Sequence, residues 1–299
     1  MSIPFAYLSI VLIWSTTPLA IKWSAVGSGF AFSAMARMAL GLVVVSGLIL
    51  LFRIRLPRHR RAMESYFAGG LGLFGTLIAV YWGAQYVSSG LISVLFGLSP
   101  LVTSLFAAFL LDEPALKPVK LLGIVLGVAG LLVIFPLGNL GGNASFLSGL
   151  LAVLLAVLIQ AASLVWMKRI GDDSPPLATT AGSLAVALPF FVLAWLIMAD
   201  GRIPHAMPLQ VSASIVYLAI FGSVAGFALY YYVIKHTQAG QVALITLVTP
   251  VLALLLGHVL NSETITWQIW LGTALISLGL VMHQWQAFMP RFAFQGRAG

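Results

Sequence analysis

The run Gly90-Leu91-Ile92-Ser93-Val94-Leu95-Phe96-Gly97-Leu98-Ser99-Pro100 has a counterpart 150 residues later, Gly240-Gln241-Val242-Ala243-Leu244-Ile245-Thr246-Leu247-Val248-Thr249-Pro250. Both runs are apolar, both open on Gly, and both place a Pro ten residues on. The register extends outward: Gly72 answers Gly222, Tyr81 answers Tyr231, Leu105 answers Leu255, Leu110 answers Leu260, and Glu113 answers Glu263. Few residues are identical, so the shared spacing carries the relation. Hydrophobic segments interrupted by Gly and Pro at corresponding positions of two halves point to the central site of a membrane carrier.

Composition sets the solvent. The 299 residues are 61% hydrophobic and only 7% charged, against the ~25% charged of an ordinary soluble domain. Lipid is the surrounding that accommodates this excess, and only helices or closed barrels cross it with their backbone groups satisfied. Barrel strands alternate apolar and polar residues, whereas these apolar runs are long and continuous, so an all-α polytopic protein is expected. The net charge of +8 does not indicate nucleic acid, because the charges fall in short connections between apolar runs. With no Cys, disulfides, thiol nucleophiles and Cys-ligated metals are excluded. The first apolar run is long enough to span and reads as a retained helix, not a cleaved leader.

At about 20 residues per span, the runs divide into ten transmembrane helices near 4–24, 29–52, 63–86, 90–111, 118–136, 146–168, 175–199, 209–234, 239–260 and 266–288. Alternate connections hold Arg53, Arg55, Arg58, Arg60 and Arg61, then Lys117 and Lys120, Lys168 and Arg169, Lys235, and the tail residues Arg291 and Arg297. The opposite side has only Lys22 and Arg202, with Arg37 inside a span. Twelve cations against two place both termini in the cytoplasm. Five spans per copy is an odd number, so the second copy enters the bilayer upside down: two inverted five-helix repeats. The first repeat is assigned to 1–136, a polar linker to 137–145, the second repeat to 146–289, and a mobile cytoplasmic tail to 290–299.

With that organisation the chain resembles the drug/metabolite transporter superfamily, specifically its ten-helix EamA-type exporters. The resemblance rests on Ile13-Trp14-Ser15-Thr16-Thr17-Pro18-Leu19-Ala20-Ile21-Lys22, on Arg37, and on Leu111-Asp112-Glu113-Pro114 followed by Gly123, Gly127 and Gly130. In the second half Glu263 is followed by Gly272 and Gly279. The spacing from Glu to the first of these glycines is ten residues in one half and nine in the other. The resemblance implies metabolite export across the cell inner membrane, often of amino acids, and does not name the cargo.

All seven acidic residues (Glu64, Asp112, Glu113, Asp172, Asp173, Asp200, Glu263) fall in predicted connections or at helix ends. Intramembrane carboxylates usually mark proton relays, so their absence at mid-depth favours carriage without carboxylate-based proton coupling. His258 and His283, near helix ends, are the alternative titratable groups. Arg37 has two readings: a partner for a substrate carboxylate, or a side chain that snorkels or fastens span 2. Lys22 is expected to reach the headgroups.

The remaining substrate-binding candidates are polar or aromatic faces, costly to leave in lipid. Trp14 and Thr17 share a face of span 1, answered by Gln160 and Ser163 on span 6. Tyr81 and Gln85 share a face of span 3, with Tyr231 answering on span 8. Ser93 and Phe96 lie on span 4, with Thr246 answering on span 9. Ser and Thr in such positions also serve as helix-to-helix glue. Trp267, Trp270 and Trp285 fit the interfacial aromatic belt. Gly123/Gly127 and Gly222/Gly226 are small-xxx-small patterns for close packing, and Gly69, Gly70, Gly72 and Gly75 read as a smooth face on span 3. Pro100 and Pro250 should kink spans 4 and 9 and act as gates.

The function expected is secondary export of small metabolites, chiefly amino acids including apolar and aromatic ones, by alternating access through a cavity between the repeats. The partners are a small-molecule substrate and the bilayer; no cofactor, metal or nucleic acid is called for. A nucleotide-sugar or sugar-phosphate exchanger is the alternative, but such cargo needs several intramembrane cations. An intramembrane enzyme would need a His-Glu-x-x-His motif, paired Asp within the predicted spans or a Cys, and the sequence has none. A channel lacks its charged ring or filter repeat.

Overall fold

A computed structural model describes residues 3–111, 118–135, 144–204, 206–226, 229 and 239–284. Among them there is no strand. The helices are α1 (Ile3–Ser24), α2 (Phe30–Leu51), α3 (Arg60–Gly83), α4 (Ser89–Phe96), α5 (Ser99–Leu110), α6 (Pro118–Ile134), α7 (Ala144–Ile170), α8 (Pro176–Ala199) and α9 (Leu209–Tyr217). A π-helix (Leu218–Ala225), α10 (Ala239–Asn261) and α11 (Trp267–His283) complete the order. Six segments are long and apolar enough to cross a bilayer, among them Ser89–Leu110 taken as one; Pro118–Ile134, Leu209–Ala225, Ile245–Asn261 and Trp267–His283 are shorter apolar helices. Large apolar side chains such as Phe109, Leu50 and Val259 lie 73–77% exposed, as a lipid-facing surface requires.

Two passes depart from the single helices expected. The run beginning at Gly90 breaks between Phe96 and Ser99, and Pro100 lies in the first turn of α5 rather than inside a bent helix. That position suits Pro, whose missing N–H would be unpaired there in any case. Pro250, by contrast, is inside continuous α10. The two copies meet at this break, since a Cβ on Gly97 would stand 3.6 Å from Pro250 Cγ. Pro100→Ala is therefore expected to leave transport within about twofold, whereas Pro250→Ala, which restores a helix bond, should slow it severalfold. Equal rates for both variants in vesicles would refute the distinction. The second departure is the widening of α9 into π geometry, where Gly226 N–H donates to Phe221 O.

Helix partners follow the order of the chain. In the first half α3 lies on α7 and α8; in the second, α9 and its π extension lie on α1 and α2. Likewise α5 lies on α7 as α10 lies on α1, while α2–α8, α4–α10 and α6–α11 each join a helix to its counterpart. Glycine makes these approaches close. On α3, the expected smooth face is instead a row of sockets. A Cβ on Gly72 would overlap Ser163, and one on Gly70 would stand 2.6 Å from Val186 Cβ. Side chains of α7 and α8 fill the sockets, so this seam is interlocked.

The α6–α11 crossing is closer still, backbone against backbone. A Cβ on Gly123 would stand 2.5 Å from Gly279 O, and one on Gly130 would stand 2.6 Å from Gly272 O. Reciprocal distances from Gly279 and Gly272 are the same. The glycines following Glu113 and Glu263 in sequence thus face each other across the two halves.

Candidate functional site

Arg37 lies seven residues into α2, about 10 Å along the helix, and is 3% exposed. Gly29 begins this pass with a positive φ of 79°, a conformation that only Gly adopts without strain. The Arg37 Nε donates to Ser223 Oγ at 3.1 Å, on the π-helix of the other half. Its Nη1 is buried without a protein partner, and among the described residues no carboxylate pairs with it. A buried guanidinium with an unmet donor is costly. Here it does not snorkel, and its aim into the π-helix is set by Gly222 and Ser223. A Cβ on Gly222 would lie 3.3 Å from Nη2 and 3.6 Å from Thr17 Oγ1.

Three of the sequence candidates, Trp14, Thr17 and Arg37, therefore meet on one seam, formed by α1 and α2 against α9 and the π-helix. Thr17 Oγ1 donates to Ile13 O at 2.7 Å, leaving its lone pairs toward the seam. Trp14 Nε1 would lie 3.2 Å from a Cβ on Gly226. Thr16 Oγ1 and Tyr217 OH share a hydrogen bond of 2.5 Å, and Tyr217 stacks on Phe221 at 5.3 Å. Ser15 Oγ and Tyr7 OH on α1 are also buried without partners. A single π turn inside a helix often marks a functional site, and this one runs for eight residues.

The other candidates are dispersed. Tyr81 is fully buried in the main core with an unpartnered OH. Ser93 is buried on α4, and Phe96 packs on the same core. Ser163 donates to Ala68 O at 3.0 Å and fills the Gly72 socket, a packing role. Gln160 Oε1 on α7 is buried and unpartnered. Gln85 is exposed in the turn after α3 and donates to Trp82 O at 3.1 Å, so it is not brought to the seam. Thr246 is half-buried on α10. Tyr231 lies outside the described residues.

Sequence reasoning missed Ser223 and Tyr217 as seam residues; only the Gly222/Gly226 pattern signalled that this stretch approaches another helix. It also gave no sign of the contacts of Lys22, whose Nζ donates to Val87 O at 3.0 Å and lies 3.9 Å from Glu263 Oε1. Of the two histidines singled out as alternative coupling groups, His283 is buried against Ser104, Nε2 to Oγ 2.6 Å, and His258 Nδ1 bonds Glu263 O at 2.8 Å. A groove of about 490 Å³ lined by Met63, Glu64, Phe67 and Trp166 opens between α3 and α7. Its aromatic pair is exposed, as expected of a lipid-contacting cleft, and it lies away from Arg37.

Many apolar helices, crossing at glycine-lined seams, are those of a polytopic membrane protein. The EamA-like transporter family matches residues 1–135 and, a second time, 147–283. The chain belongs to that family, and it is a membrane transporter of the drug/metabolite superfamily. It is similar to the uncharacterized transporter YoaV of Bacillus subtilis, 29% identical over 97% of both chains. The uncharacterized inner membrane transporter YedA of Escherichia coli is 27% identical over 93% of this chain and 89% of its own. Protein PecM of Dickeya dadantii is 24% identical over 80% and 79%. A solved structure described only as "Crystal structure of protein" superposes with a TM-score of 0.66 over 96% of this chain and 97% of that one, at 23% identity. It shares the fold. Family and relatives point to a transporter rather than an enzyme.

Proposed function

We propose that this chain exports small carboxylate-bearing metabolites, amino acids foremost, across the cell inner membrane. Substrate passes between two inverted five-helix repeats that open alternately to each side, with both termini in the cytoplasm. The observation that carries the cargo class is Arg37: buried, on the seam between halves, with Nη1 unmet. A carboxylate is the group that satisfies it, and a charge-assisted bond contributes about 1.5–3 kcal/mol. Hydroxyl and aromatic neighbours (Thr17, Trp14, Tyr217) suit the ammonium and side chain of an amino acid. The repeat reading is supported by the twofold family match and by the exchange of packed pairs when the halves are swapped.

Arg37 is the one buried cation among the described residues, too few for nucleotide-sugar or sugar-phosphate cargo. Acidic residues among those described lie at helix ends or connections, which supports transport without a carboxylate proton relay. Counter-flow in proteoliposomes tests this, comparing labelled amino acids with labelled sugar phosphates, with and without a pH gradient. Exchange of amino acids, indifferent to the gradient, is expected. Exchange of sugar phosphates alone would overturn the reading.

A further inference from the structure

We propose that Glu263 is the lock that holds the two halves together at the Lys22 end of the passage, and that this end is shut in the structure. The proposal rests on the alternating access described above. Glu263 follows α10, and its carboxylate is only 9% exposed. Oε1 accepts from Ser89 N–H at 3.0 Å and from Asn261 Nδ2 at 2.9 Å. Oε2 accepts from Ser89 Oγ at 2.9 Å and from Gly90 N–H at 3.2 Å. Asn261 apart, every one of these donors belongs to the other half. A second tie lies alongside, Trp23 Nε1 to Asn261 Oδ1 at 3.0 Å.

The local sequence aims the carboxylate. Ser262 adopts a left-handed φ of 52°, and Glu263 N–H donates back to Gly257 O at 3.1 Å, folding the side chain over α10. Gly257 leaves the space it occupies, because a Cβ there would stand 2.5 Å from Oε2. Beneath the carboxylate α4 and α10 touch, a Cβ on Gly90 being 2.7 Å from Leu254 Cα. A passage between the halves at this end requires those helices to part, so the carboxylate must release the N-terminal N–H groups of α4. Such bonds are strong, yet each group regains water on opening. A reversible lock needs that balance. By the charge asymmetry of the connections, the Lys22 end faces away from the cytoplasm.

The chain has no Cys, so one introduced thiol reports access. Ser93, one turn below Ser89, is 7% exposed. In Ser93→Cys protein, a membrane-impermeant maleimide added outside right-side-out vesicles should react slowly. Adding Glu263→Gln should speed labelling at least about fivefold, by shifting the population toward the open end. Gly257→Ala displaces the carboxylate without changing any charge, and should do the same should Glu263→Gln fail to accumulate. Unchanged labelling in both variants, or acceleration only from the inner side, overturns the lock. Labelling needs no substrate, so its result stands apart from that of the amino-acid counter-flow.

Discussion

Replacing Arg37 with Gln should reduce amino-acid counter-flow at least about 30-fold, as the loss of one charge-assisted contact of about 2 kcal/mol requires. Its thermal midpoint should stay level or rise. The second half of that result separates two roles. A guanidinium that merely fastens α2 to the π-helix through Ser223 would lower stability when removed and slow every cargo equally. A guanidinium kept for a carboxylate sits in the empty carrier with an unmet Nη1 and bears its burial cost alone. A neutral replacement relieves that cost. Arg37→Lys keeps the charge but loses the planar fork, and should recover only part of the rate. Rates and melting curves on the same purified variants decide between the roles.

The largest stability effect is expected where α6 crosses α11. Gly130→Leu or Gly272→Leu would place a side chain against a facing carbonyl that a Cβ already approaches to 2.6 Å. No rotamer change relieves a backbone contact, so the helices must separate along Gly123, Gly127, Gly130, Gly272 and Gly279. Overpacking of ordinary cores costs about 1–3 kcal/mol, and a forced helix separation should cost about 3 kcal/mol or more, a large share of the ~5–15 kcal/mol by which a folded protein is stable. Gly47→Ala is the control, since nothing lies within 4 Å of its Cβ position; Ala should be neutral or slightly favourable in that helix. Size-exclusion yield and thermal midpoint compare them. Equal yields would show that this crossing is looser than its distances.

Much of the fold was legible because lipid imposes a simple code. Apolar runs of about 20 residues, broken by charge and Gly/Pro, gave nearly every helix to within a few residues. The last helix ends at His283 rather than 288, and the front of α3 is instructive. The helix starts at Arg60 rather than 63, extended by the Arg60–Glu64 bond at 2.8 Å into a polar layer that hydropathy does not register. The break at Gly97 was also hidden. A Pro ten residues into an apolar run reads the same whether it kinks a helix or starts a new one.

The geometry of the candidate seam was half legible. Arg37 stood out because a cation is rare within a span, and Trp14 and Thr17 because they share a face. Their partner, Ser223, is an ordinary hydroxyl in an apolar run, singled out only by its distance from Arg37. Glu263 illustrates the same limit. The 150-residue register linked it to Glu113, but nothing in the spacing said that its donors lie in the opposite half at Ser89 and Gly90. The 150-residue register pairs equivalent positions, while contacts between the two halves, such as Glu263 with Ser89 and Gly90, join residues that are not equivalent.

The most direct test of the account is a covalent bridge across the seam itself. A Cβ at position 222 lies 3.6 Å from the Thr17 hydroxyl, near enough for a disulfide between Thr17→Cys and Gly222→Cys after a small adjustment. In this otherwise Cys-free chain the bridge would tie the two halves beside Arg37. Amino-acid counter-flow should stop on oxidation and return on reduction, and saturating amino acid should slow formation of the bridge. Fully bridged protein that carries amino acids at the unbridged rate would contradict a passage along this seam.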